Sequence, residues 1–346
     1  MIGSELVDSI TVRSGVRQGC PLSPLIFAIC SHLLLTRLEA MLSAHEVVSA
    51  FADDTAAVIR DWVRTLPCLA TCFTEFQAIS ALELNIGKTV FIPLWPCSNF
   101  ERLRLLIREL VPRWGDIIIA DRAKYLGFTI GPGACGHSWV GPLCKYAERA
   151  TAWFHLPLGL FWNIMVYHTF VASVLSFPMQ LERDPEELRA TFEQVVRKLA
   201  PGPYNWISPQ DLVNLRETFC FPISIRLPSA TSLAAKLRVI ETVAPDCHAR
   251  CRELAELEDG VLLGPFGSWH TNSYYAVLAS AEDEIGKLGI TRSSVRRSVR
   301  GASGHGGGKS FQAQAEMMIK TAVCANYCGH NRVRARISRW SLPIYP

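Results

Sequence analysis

The stretch "SAFADDTAAVI" (49–59) sets two adjacent carboxylates, Asp53 and Asp54, in the middle of an apolar run. An ionised carboxylate without a partner is costly to desolvate. Two side by side also repel, so one must take up a proton or a cation must sit between them. A hard divalent metal held by oxygen ligands resolves both problems. The flanking runs "EVVSAF" (46–51) and "TAAVI" (55–59) read as two strands, and so tight a link between them predicts a hairpin with the carboxylates at its bend.

Working outward, "PLIFAICSHLLLTRLEAMLS" (24–43) opens with Pro and predicts a helix packed deep at its N-terminal end. Helical spacing recurs over 62–82, "KTVFIPL" (88–94) reads as a strand, and 99–111 as an amphipathic helix. "DIIIA" (116–120) and "KYLGFTI" (124–130) read as two further strands. A loop, "GPGACG" (131–136), marks a boundary, after which helical patterns dominate at 138–154, 160–180, 185–199, 208–219 and 229–243. The expected domains are therefore 1–135, 136–288 and a basic, flexible tail over 289–346, with an α+β fold overall.

The chain has 346 residues, which suggests about two domains at roughly 150 residues each. Its net charge of +4 is unevenly spread: residues 289–346 carry ten Lys and Arg against the single acid Glu316, while the remainder is mildly acidic. A basic tail suits a polyanion such as nucleic acid, and equally a solvated disordered segment. The twelve Cys are scattered, and read as buried free thiols rather than a disulfide framework. No targeting peptide is visible in "MIGSELVDSITV". The uncharged run 158–177 is long enough to span a bilayer, but Asn163, His168 and the nearby Pro157 and Pro178 favour a buried helix, and no membrane partner is expected.

Upstream of the carboxylates, "SGVRQGCPLSPLIF" (14–27) leads a Gly-rich turn into a helix. Small residues there admit close approach to the backbone, and a helix N-terminus favours an anion. With "FADD" (51–54), "LELNIGKTVFI" (82–92) and "KYLGFTI" (124–130), this loop gives four motifs in one order that resemble the palm motifs of reverse transcriptases, specifically of the non-LTR (LINE-type) retrotransposon branch. The resemblance covers about residues 10–131 and extends weakly to a helical thumb-like region. It implies a partial palm followed by that region, and RNA-directed DNA synthesis with RNA template, DNA primer and dNTP as partners.

By that resemblance Asp53 and Asp54 would hold two Mg²⁺ ions that activate the primer 3′-hydroxyl and stabilise the leaving pyrophosphate. Gln18 and Gly19 would line the nucleotide pocket, Arg17 would support the loop or a phosphate, and Lys88 would place charge near the phosphates. Tyr125, Leu126 and Gly127 would shape the floor beneath the primer end. The family also requires a further catalytic Asp some tens of residues before the loop. Asp8, the only Asp ahead of Arg17, lies too close to it. The chain is thus expected to be an N-terminally truncated fragment, inactive without a missing segment or partner chain, with a catalytically dead nucleic-acid-binding remnant as the alternative. The parent activity would place it in the nucleus or cytoplasm.

Three other signals carry less. "GASGHGGGKS" (301–310) fails the P-loop pattern because Ser303 stands where its first Gly belongs. "CHARC" (247–251) and "CANYCGH" (324–330) each lack a fourth zinc ligand nearby, so ligands would have to come from distant segments, and incidental thiols are the expected reading. The run "NRVRARISRW" (331–340) suits phosphate contact with base stacking, or a solvated edge.

Overall fold

The computed structural model describes residues 19–95, 97, 99–134, 136–156, 158–200, 206–258, 273–302 and 310–327. They divide into two compact units, Met1–Gly133 and Ala134–Pro346. The first mixes short strands with helices and the second is helical, so the fold class is α+β.

In the first unit, α1 (Ser23–Glu39) is apolar on nearly every side, yet only Leu38 is fully buried. Leu22, Leu25, Ile26, Ile29 and Leu33 stand exposed along one stripe, which corrects the expectation of a deeply packed N-terminal end. Strands β1 (Val47–Phe51) and β2 (Asp54–Val58) then pair antiparallel, from Val47 against Val58 to Phe51 against Asp54. Helix α2 (Trp62–Ser80) is capped by the Asp61 side chain, which accepts from the Arg64 N–H at 3.3 Å. Its inner face supplies Leu66, Leu69 and Cys72 to a core shared with Leu103 and Ile107 of α3 (Phe100–Leu110) and with Trp114 and Ile119.

The strand expected over 88–94 is only β3 (Val90–Phe91), parallel to β4 (Ile118–Ile119). Lys88 closes a 3₁₀ turn capped by Asn85, and Pro93 offers no N–H to extend the ladder. "KYLGFTI" is a hairpin rather than one strand: β5 (Ala123–Tyr125) and β6 (Phe128–Ile130) pair antiparallel around Leu126 and Gly127. Gly131, φ +119°, then turns the chain so close to Asp121 that a β-carbon would lie 2.5 Å from the Asp121 carbonyl oxygen.

The second unit packs α4 (His137–Phe154), α5 (Leu160–Val166), α6 (Glu187–Leu199), α7 (Pro209–Val213) and α8 (Leu215–Phe219) around Trp139, Tyr146 and Tyr167. The two tyrosine hydroxyls lie 3.2 Å apart. The helix expected over 160–180 breaks after Val166 into a π turn (Tyr167–Val171) and 3₁₀ turns. Arg149 donates to the Phe170 carbonyl, within the π turn, at 2.8 Å. Among the described residues no helix is long and apolar enough to cross a membrane. The helix expected over 208–219 is likewise split, at Asn214.

A second core joins α9 (Pro228–Thr242), α10 (Cys247–Glu258), α11 (Tyr274–Lys287), α12 (Arg292–Ala302) and α13 (Phe311–Val323). The tail expected to be flexible from 289 is therefore helical over these two spans. Val295, Ala315 and Ile319 are fully buried in the core, and the apolar spacing of 311–323 supplies the contact face. Its charge is also partly spent internally, with Arg296 on Glu241 and Arg292 on Glu282. The ten described cysteines are free, but only Cys72 and Cys247 are buried, which corrects the reading of thiols held in the core.

Candidate catalytic hairpin

The two aspartates sit where the tight link between two β-rich runs predicts, at the tip of the β1–β2 hairpin. Phe51 and Asp54 form the last pair, leaving Ala52 and Asp53 as a two-residue turn. Ala52 takes φ +54°, a left-handed conformation that costs a non-glycine residue about 1–2 kcal/mol. Both carboxylates are exposed, which corrects the premise that they are buried in the apolar run. Val48 packs on the core, while Val47, Phe51 and Val58 are exposed on the opposite face. Among the described residues neither carboxylate accepts a hydrogen bond or forms an ion pair, and no third His, Cys, Asp or Glu completes a metal-ligating group with them.

Two contacts position this hairpin. At its open end the Glu46 carboxylate accepts from the backbone N–H groups of Ser43 (2.9 Å), Arg60 (2.9 Å) and Asp61 (3.2 Å). It thereby ties the loop before β1 to the loop after β2. The Ser43 N–H first, with Arg60 and Asp61, holds the Glu46 carboxyl below its usual range. Sequence reasoning missed Glu46, although Ser43 three residues before it forms the S-x-x-E pattern of a reciprocal cap. On the side of the hairpin, the Tyr125 hydroxyl donates to the Ser49 carbonyl at 3.4 Å.

That bond brings the second hairpin against the first. In its turn Leu126 and Gly127 both have positive φ, +48° and +88°, the signature of a type I′ turn. Asn-Gly is the favoured pair for such a turn, so a leucine at its first position is strained. Of the other candidates, Gly19 is exposed with φ +85° in the turn before α1, and Lys88 is exposed at the end of its 3₁₀ turn. No hydrogen bond or ion pair links either to the aspartates among the described residues. Arg17 and Gln18 lie outside the described residues, as do most of 301–310, the second half of "CANYCGH" and all of 331–340.

Residues 2–130 match the family model for reverse transcriptase (RNA-dependent DNA polymerase). The matched span ends at Ile130, the last residue of β6, and takes in both hairpins.

Proposed function

We propose that the first unit is part of a reverse-transcriptase palm of the non-LTR type, with RNA-directed DNA synthesis as the activity it serves. The observation that carries this reading is the Tyr125–Ser49 bond. It ties Tyr125, beside the Leu126–Gly127 turn, to β1, the strand that leads into the turn carrying Asp53 and on to Asp54 in β2, inside the span that matches the family model. Strain at Ala52 and Leu126, each in one of the two turns, supports it further, because strained backbone concentrates at functional sites.

The exposed oxygen donors of Asp53 and Asp54 suit Mg²⁺, which prefers carboxylates and water in open coordination. When bound, Mg²⁺ supplies charge to activate the primer 3′-hydroxyl and stabilise the leaving pyrophosphate. Two carboxylates alone are half of such a site. A further ligand, from another segment or a partner, would complete it. In this reading Gln18 and Gly19 line the nucleotide pocket, Arg17 and Lys88 place charge beside phosphates, and Tyr125, Leu126 and Gly127 support the primer end. Residues 136–288 act as a thumb-like region.

A second reading is supported by the absence of a third ligand around the pair among the described residues. In it the chain alone binds nucleic acid without polymerising. Primer extension on an RNA template with Mg²⁺ separates the two. The chain alone is expected to bind RNA with strong salt dependence and to incorporate nothing. Supplied in trans with the first half of a reverse-transcriptase palm, it incorporates dNTPs, and Asp53→Asn abolishes this. Incorporation that survives Asp53→Asn combined with Asp54→Asn refutes the catalytic assignment. A complemented chain that binds RNA but stays inert leaves the binding reading in possession.

A further inference from the structure

We propose that the second unit carries a zinc site formed by Cys247, His248 and Glu282, separate from the aspartate pair. Cys247 and His248 open α10, and Glu282 lies on α11, which packs beside it. The three ligand atoms all lie within 4.8 Å of one another. Glu282 Oε2 is 3.7 Å from Cys247 Sγ and 3.4 Å from His248 Nε2. Tetrahedral coordination with ordinary zinc bond lengths requires about 3.6 Å between sulfur and oxygen and about 3.4 Å between nitrogen and oxygen. The Glu282 carboxylate thus already stands at near-ligating separation from both the thiol and the imidazole, whose own ligand atoms lie within 4.8 Å of each other.

The surroundings fit the same ion. Arg292 donates to the other carboxylate oxygen, Oε1, at 2.8 Å. It fixes the carboxylate's orientation and leaves Oε2 turned toward the thiol and imidazole, as outer partners do at metal sites. A surface cavity of about 740 Å³, lined by His248, Cys251 and Asp283, adjoins the cluster. It gives an entry path and room for a water at the fourth position. Asp283 Oδ1, 3.7 Å from His248 Nε2, stands ready to accept a hydrogen bond from that water. Thiolate and imidazole donors select zinc over magnesium. On binding, the Cys247 thiol proton leaves to solvent and the ion joins α10 to α11.

The full chain, stripped with chelator and dialysed, is titrated with Zn²⁺ against a chromophoric competitor and with Co²⁺ by absorption. One equivalent of zinc is expected, with a thiolate-to-cobalt charge-transfer band, tetrahedral d–d bands and a raised Tm. His248→Ala, at a half-exposed position, and Glu282→Gln should each weaken zinc by more than about tenfold. Cys324→Ser, in the other Cys/His cluster, should leave it unchanged. Three results overturn the proposal: no zinc retained by the wild type, an affinity in both variants equal to that of the wild type, or a cobalt spectrum without the thiolate band.

Discussion

His168 makes a pH experiment informative about the core of the helical unit. It lies in the π turn, beside a small cavity of about 170 Å³ that Arg226 and Thr231 also line. Its Nε2 is buried and has no hydrogen-bond partner among the described residues. Burial first, then the Arg226 charge, push its pKa from 6.5 down to about 4, against a smaller opposing effect of the Ser224 backbone. The folded value lies below the unfolded one, so between them the unfolded chain binds the extra proton. Stability is full above the unfolded pKa, falls as pH drops through 6.5, and levels off below 4. The two values give a loss of about 2 kcal/mol at pH 5. Water reaching the half-buried ring lowers that to about 1–2 kcal/mol. Hydrogen exchange over α4 and α6 reports this unit separately from the first. Wild type should lose protection between pH 7 and pH 5 by about that amount more than His168→Gln, which fills similar space and does not titrate. Parallel loss in the two proteins refutes a neutral, desolvated imidazole.

Asp184 accepts from Lys236 Nζ at 2.9 Å, and the Lys236 side chain is only 4% exposed. Asp184→Ala should therefore lower stability by about 3 kcal/mol in thermal melts, because it strands a buried ammonium, while Lys236→Met should cost less. Glu46→Ala removes the acceptor for three backbone N–H groups. By analogy with lost caps it should cost about 1 kcal/mol, seen as faster amide exchange confined to β1 and β2.

The hairpin around the aspartates was legible because two β-rich runs are joined by a very short link; its register was not, since Asp54, read as part of that link, is the first residue of the second strand and pairs with Phe51. The YLG hairpin was not legible from its residues, since leucine is a poor occupant of a left-handed turn position and only the fold holds it there. Burial was misjudged for the same carboxylates whose position was right. An apolar sequence states what a segment would bury, and the neighbours decide whether it does. Long-range polar contacts were equally invisible. Arg149 reaches the Phe170 carbonyl, inside the break in the helix expected over 160–180, from a distance of 21 residues in sequence. Glu241 and Glu282 absorb two of the arginines that made the C-terminal segment look like a free basic tail.

The exposed stripe of α1 bears on which functional reading holds. Leu22, Leu25, Ile26, Ile29 and Leu33 recur at helical spacing on one face, and a helix apolar on all sides belongs inside a larger core. A module that only held nucleic acid would need its basic surface and its helical unit, and an apolar stripe would add a liability to self-association. A palm whose metal site is completed by another segment would use such a face, because that segment would have to be held rigidly beside the aspartates. The same logic covers Phe51, exposed on the hairpin next to the turn that carries Asp53. Apolar surface beside the carboxylate tip suits a site finished by another body that excludes water there. Under the proposed function, the exposed stripe and the absence of a third ligand beside the aspartates among the described residues would both be met by one further contact, which is why the stripe favours the polymerase reading over the binding one.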